Sequence, residues 1–293
     1  MPPRDIGTYY NGRTIKLGTM DHEKIINAIL HPQSISSGTH AWTIVHSYTG
    51  QSSDGRSYYF GKLCKYEPEG EVARLNSSNN SPETVAEPNL IEALSPFVYI
   101  PWHSGISFLR IPGQIEVDMF RNRFRGIVLR DPFFEDLQIE MITDLRPFVE
   151  KIRELDYIDH LTVKVHPPNP LFGDAWGDLK DYLQGRSLSE LKLDEQSKDS
   201  TGIRTRIVTY IDRILGGERV NETIPYSDAA ILMAADGYGD GMIHGKKADL
   251  FVSIKTSTTI RNFDLAKDPT PEQLFTRSLE LFDEIADERY MEH

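Results

Sequence analysis

"THAWTIVHSYTGQSSDGRSYYFGKLCKYEP", Thr39 to Pro68, is two β-rich runs joined at "QSSD". β-Branched and aromatic residues fill both runs, and polar and glycine residues sit at the bend, so the stretch reads as a long antiparallel hairpin. A hairpin of that length needs a sheet to lie in, and the flanking sequence supplies one. "PFVYIPWHSGISFLRIPG" is a second hairpin turning at His103, Ser104 and Gly105. Upstream, "DHEKIINAIL" is a helix with Asp21 as its N-cap and Ile25, Ile26 and Ile29 on one face. Between the hairpins, Pro68 to Pro96 is rich in Asn, Ser, Glu and Pro with little periodicity. It reads as an exposed loop that becomes ordered on a partner.

After Asp131 the elements alternate. "DLQIEMI" reads as a strand, and "DLRPFVEKIREL" as a helix capped by Asp144 with Leu145, Phe148, Val149, Ile152 and Leu155 inward. "DHLTVKVHPPNP" is a strand that must stop at Pro167 and Pro168, because proline cannot donate to a ladder. A short helix capped by Asp174, the strand "LSELKLDEQ" and the amphipathic helix "GIRTRIVTYIDRILGG" come next. "YSDAAILMAADG" is a further helix, "GDGMIHGKKADLFVSIKTST" a hairpin, and "TPEQLFTRSLELFDEIADERY" an acidic helix with Leu274, Leu281, Phe282 and Ile285 inward. The expected class is α+β: an N-terminal mixed antiparallel sheet with helices, then an alternating strand–helix region ending in a hairpin and a C-terminal helix. Two domains are expected, residues 1–131 and 132–293.

The chain has 293 residues and a net charge of −12, which opposes indiscriminate coating of nucleic acid. The single cysteine, Cys64, excludes an internal disulfide and a cysteine metal cluster. No apolar run approaches the ~20 residues that cross a bilayer and no signal peptide is visible, so a cytoplasmic location without membrane insertion is expected. Charge is unevenly spread. Pro101 to Arg130 holds five arginines against Glu116 and Asp118 alone, and "FRNRFRGIVLR" (Phe120–Arg130) holds four of them.

That stretch reads as a helix with Ile115, Met119, Phe120 and Ile127 on one side. Arg121, Arg123 and Arg125 lie on or near the other, Arg121 and Arg125 one turn apart. No acid lies between Met119 and Arg130 to pair with them, so the guanidiniums repel one another unless an anion sits there. Arg130, and Arg56, Lys62 and Lys65 of the neighbouring hairpin, extend the expected phosphate-holding patch, interleaved with Tyr58 and Tyr59. Against this stands the plainer reading of a solvated helix face or a protein interface. A second expected site rim is Lys164, His166 and Asn169, in a loop dense in Pro, Gly and aromatics.

Other chemistry lacks its residues. There is no GxxxxGK[ST] or GxGxxG loop, no HExxH and no GxSxG. "DGYGDG" fails as a calcium loop because Lys247 stands where a bidentate Glu is required. His160 and His166 have no carboxylate company in their strand, so no metal and no cofactor are expected. A metal-dependent nuclease would use Asp249 and Lys255, but Ser253 stands where a further carboxylate would help hold magnesium.

With the elements in order, the strand ending "VKVHPPNP" and the helix running into "AADGYGDGMIHGKK" resemble an uncharacterised family of bacterial proteins found among phage-defence genes, and more distantly the RexA-like phage-exclusion proteins. The resemblance implies an α+β protein, often oligomeric, acting in abortive infection with nucleic acid as the sensed ligand. It transfers no catalytic residue. The resulting expectation is a non-enzymatic nucleic-acid-binding or sensing component of an antiviral system. Its partners are nucleic acid and either a second copy or another protein of that system. The alternatives are a divergent metal-dependent nuclease and a protein-only interaction module.

Overall fold

A computed structural model describes residues 5–130, 132–167, 176–199, 201–218, 220, 222–248 and 250–289. Its strands are β1 (Ile6–Gly18), β2 (Ile35–Ser37), β3 (His40–Gln51), β4 (Ser57–Glu67), β5 (Glu71–Asn76), β6 (Ser81–Ala86), β7 (Leu90–Ile100), β8 (Gly105–Leu109), β9 (Glu135–Met141), β10 (Tyr157–Val165), β11 (Leu191–Gln196), β12 (Gly239–Lys247), β13 (Leu250–Lys255) and β14 (Asn262–Ala266). Its helices are α1 (His22–Leu30), α2 (Val117–Val128), α3 (Leu145–Arg153), α4 (Gly177–Gly185), α5 (Ile207–Leu215), α6 (Tyr226–Met233) and α7 (Pro271–Glu288). The class is α+β. Both hairpins form, β3 with β4 and β7 with β8, the latter turning through Ser104 at φ 46°.

The larger sheet runs β14-β1-β8-β7-β4-β3-β2, with β9 also on β1. The length of β1 organises it. Residues 9–13 pair with β8 on one edge, while residues 6–10 pair with β14 and 12–18 with β9 on the other. Strands from beyond the 131/132 boundary thus complete the sheet begun before it.

Alternation sends the two faces of this sheet into different cores. Leu63, Phe97, Phe108 and Ile139 meet Ile25 and Ile29 of α1 and Phe120, Phe124 and Ile127 of α2. Tyr58, Phe60 and Val98 meet Leu274, Phe275, Leu281 and Phe282 of α7 on the opposite side. The α2 stripe therefore includes Phe124, whose ring meets Phe97 edge-on at 5.3 Å, while Phe120 stacks on Phe108 at 3.9 Å.

Pro68–Pro96 corrects the sequence reading. It holds the β5–β6 hairpin and the start of β7. Val72 lies across from Val85, and Asn80 takes the left-handed turn conformation at φ 50°. Polar composition hides the alternation, because this two-stranded arm has no buried face to demand apolar residues.

The α1 start carries a pH dependence. Asp21 accepts from the Lys24 amide at 2.8 Å as the N-cap, and His22 Nδ1 lies 2.5 Å from the Tyr99 hydroxyl. Tyr99 is buried and its pKa is pushed up, so its O–H donates and His22 accepts as a neutral ring. Burial, with help from Lys16, lowers the His22 pKa to about 4 from its ordinary 6.5. Between those values the unfolded chain binds the proton and the folded one does not. Stability from this group is complete above pH 6.5 and falls as pH drops through about 4. Chemical denaturation across that window should show a shallower loss in His22→Gln than in the parent chain.

The second sheet runs β11-β10-β12-β13, all antiparallel. Leu161, Val163, Ile243 and Ile254 point to one face, packed by Phe148 and Ile152 of α3, Leu179 of α4, Ile211 of α5 and Ile231 of α6. Asp144 caps α3 as expected, while Asp174 lies outside the described residues.

A buried polar knot joins the two sheets. After α6 the chain makes a π-helical turn, Ala234–Tyr238, with Gly237 left-handed at φ 85°. Asp236 is paired with Arg289 at the end of α7 and accepts from Trp176 Nε1 at 2.8 Å. Its carbonyl accepts from Arg13 Nε of β1 at 2.9 Å, and Arg13 Nη1 donates to the His103 carbonyl at 2.7 Å. Arg13, Asp236 and Arg289 are all buried.

Candidate nucleic-acid interface

The basic residues expected to share one anion site are dispersed among individual partners. Arg121 is held by Asp118 at 3.2 Å and Glu140 at 3.0 Å, and also donates to the Ile139 carbonyl. Arg125 pairs with Asp136 at 2.7 Å. Arg123 lies over the Trp42 ring at 5.5 Å, and Arg130 donates to the His31 carbonyl at 3.2 Å. On the hairpin, Arg56 pairs with Asp54 at 2.5 Å, Lys62 with Asp268 at 2.6 Å and Lys65 with Glu92 at 2.5 Å. Acids remote in sequence, brought in by β9, neutralise Arg121 and Arg125 of the row that looked bare along the chain, and Asp268 before α7 takes Lys62. Period-2 alternation also separates Lys62 from Lys65. The first faces the α7 side of β4 and the second the α1/α2 side, so they cannot belong to one patch.

The second expected rim divides. Lys164 is half-buried on β10, pairing with Glu190 at 3.4 Å. His166 is fully buried, its Nδ1 donating to the Ser189 carbonyl at 2.9 Å, and burial lowers its pKa. It is an interior group rather than a rim. Asn169 and Asp249 lie outside the described residues.

Lys164 nonetheless marks a junction. It reaches a cleft of about 310 Å³ lined by Arg121, Arg125, Asp136, Gln138 and Glu140, where β9 passes α2. Cations and carboxylates alternate there. Burial raises the Glu140 pKa, opposed chiefly by Arg121. Arg121→Ala leaves that buried carboxylate without its main partner and should cost about 1–3 kcal/mol in a urea melt. Phosphate contact plays no part in that loss.

From Lys164 the smaller sheet spreads outward, and the face opposite its helices carries a different set of side chains. Strand pairing lines them up in rows. Gln196, His160, His244 and Ser253 form one row across all four strands. Asp194, Thr162, Met242 and Lys255 form the next, and Lys246 lies across from Phe251. The His160 and His244 rings stack at 5.0 Å and 18°. Each is fixed by a neighbour, His160 Nε2 by Asp194 at 2.7 Å and His244 Nδ1 by Ser253 at 2.8 Å. Phe251 is 77 % exposed, with Lys246 Nζ 4.8 Å from its ring and 6.0 Å from that of Tyr157. Lys192 and Lys255 are exposed at the flanks.

Here rings and ammonium groups share one surface. Sequence reasoning missed it because the members come from four strands, 157–165, 191–196, 239–247 and 250–255. The available signal was alternation: His160, Thr162 and Lys164, then Asp240, Met242, His244 and Lys246, face outward, while Leu161, Val163 and Val165, and Gly239, Gly241, Ile243 and Gly245, face inward.

No helix among the described residues is long and apolar enough to cross a membrane. A family model described as "Domain of unknown function (DUF4747)" matches residues 21–210, more than half of the chain, and the chain belongs to that family. No curated protein matches it.

Proposed function

We propose that this member of the DUF4747 family binds single-stranded nucleic acid on the open face of the β11-β10-β12-β13 sheet, as a non-enzymatic sensing component of an antiviral system. The observation that carries the reading is the ring row, the stacked His160 and His244 beside exposed Phe251, with lysines around it. Bases have π-faces that stack on such rings whatever their sequence, and an antiparallel sheet presents the rings at strand spacing. Lys246 and Lys255 meet the phosphates, joined by Lys192 once it leaves Glu190, which it pairs with at 3.2 Å. A duplex buries its bases and offers this surface only a backbone, so it lacks the stacking that offsets repulsion by the net charge of −12. Preference for single strands follows.

Fluorescence anisotropy with labelled single-stranded DNA and RNA of mixed sequence, against duplexes of equal length, tests this. Three phosphate contacts give a log–log salt slope of about −2 for a single strand. Tighter or equal binding of the duplex sinks the reading.

A further inference from the structure

The geometry points to a binding site for a zinc-class divalent cation at the root of the β5–β6 arm, formed by His40, Glu67 and Glu92. These residues come from three adjacent strands, β3, β4 and β7, where β4 leaves the sheet for the arm and β7 returns from it. Nε2 of His40 is 3.2 Å from a Glu92 carboxylate oxygen and 3.7 Å from one of Glu67, and the three ligand atoms all lie within 4.8 Å of one another. Bonds of about 2.0–2.1 Å from a tetrahedral ion put neighbouring ligand atoms roughly 3.3 Å apart, so the spacing suits such a centre.

Two local features aim these groups. Lys65 pairs with Ala93 and Tyr66 with Ile91, leaving Glu92 as the extra residue of a β-bulge, a device that redirects a side chain. The Thr39 hydroxyl lies 3.2 Å from His40 Nδ1, the hydrogen bond to the second ring nitrogen that orients a metal-binding imidazole through Nε2. All three side chains are partly exposed, between 22 % and 34 %, so further coordination positions face solvent.

A competing cation, the Lys65 ammonium, already sits at this position. Lys65 Nζ lies 2.5 Å from the same Glu92 oxygen that faces His40, and 3.0 Å from Gln114 Oε1. A divalent ion at Glu92 displaces the ammonium towards Gln114. This differs from an ordinary ion-pair cluster in a measurable way. If the group is only a salt bridge, removing Lys65 weakens it and creates no affinity for metal. If it is a metal site, removing Lys65 lifts the competition and tightens metal binding.

Tag-free protein stripped with a chelator is titrated with Co²⁺, following its visible d–d absorption, and with Zn²⁺ by calorimetry. One equivalent is expected to bind, with Zn²⁺ bleaching the cobalt band. His40→Ala and Glu92→Gln each weaken binding by about 100-fold or more, and Thr39→Ala by about 10- to 100-fold. Lys65→Met tightens it by about tenfold. Absence of a cobalt band in both the parent chain and Lys65→Met overturns the site, as does one-equivalent binding that survives His40→Ala. Circular dichroism of each variant separates loss of ligand from loss of fold.

Discussion

Asp236→Ala and Arg289→Ala should each lower the free energy of unfolding by about 3–5 kcal/mol, enough to threaten a domain of ordinary stability. Either change strands a buried charge. Arg289 also donates to the Thr143 and Ala235 carbonyls, and Asp236 receives Trp176, so the loss spreads to the start of α4 and the end of β9. The sign of the coupling is as telling as the size. Replacing both members by apolar residues of similar volume should cost less than the sum of the single changes, because no unpaired charge remains. Urea midpoints for the two singles and the double give that cycle directly. Additive losses would mean that the pair is not the joint between the sheets that its geometry describes.

The second large effect concerns the ring row. Base–ring stacking is worth about 1–3 kcal/mol per base by alanine substitution, or roughly 5- to 150-fold in affinity. Phe251→Ala removes the most exposed ring of that face, and His244→Ala removes one half of the stacked pair, so the double change should weaken single-strand binding by well over tenfold. The fold has little stake in these side chains, since Phe251 is 77 % exposed and His244 faces away from the helices. Arg121→Ala is the converse. It should lower stability and leave affinity for the strand unchanged, because its guanidinium is committed to Glu140 and Asp118.

Much of the fold was legible along the chain because local pattern and tertiary packing agree. Asp21 and Asp144 cap the helices they precede, and Leu145, Phe148, Val149 and Ile152 are buried at helical spacing. Where they disagree, local pattern misleads. The β5–β6 arm buries no residue, and β14 is five residues long with only Phe263 buried, so neither carries a long apolar pattern. The change of texture at Asp131 marks where sequence pattern shifts. Hydrogen bonding ignores it, since β1 recruits both β9 and β14.

The candidate site was less legible for a related reason. Charge along Phe120–Arg130 is a one-dimensional quantity, and the acids that pair with Arg125 and Arg121, Asp136 and Glu140, arrive on a strand that folds back beside α2. The row Gln196–His160–His244–Ser253 exists only after three strand registers are set. Single out-facing histidines in separate strands look like ordinary surface until pairing stacks them.

The most direct test is an anisotropy titration of a mixed-sequence single strand, at one low salt concentration, with the parent chain, Phe251→Ala/His244→Ala and Arg121→Ala. Saturable binding by the parent and by Arg121→Ala, with a loss of well over tenfold in the double variant, is the predicted result. Equal affinities for the parent and the double variant, or no binding by the parent chain, would contradict it.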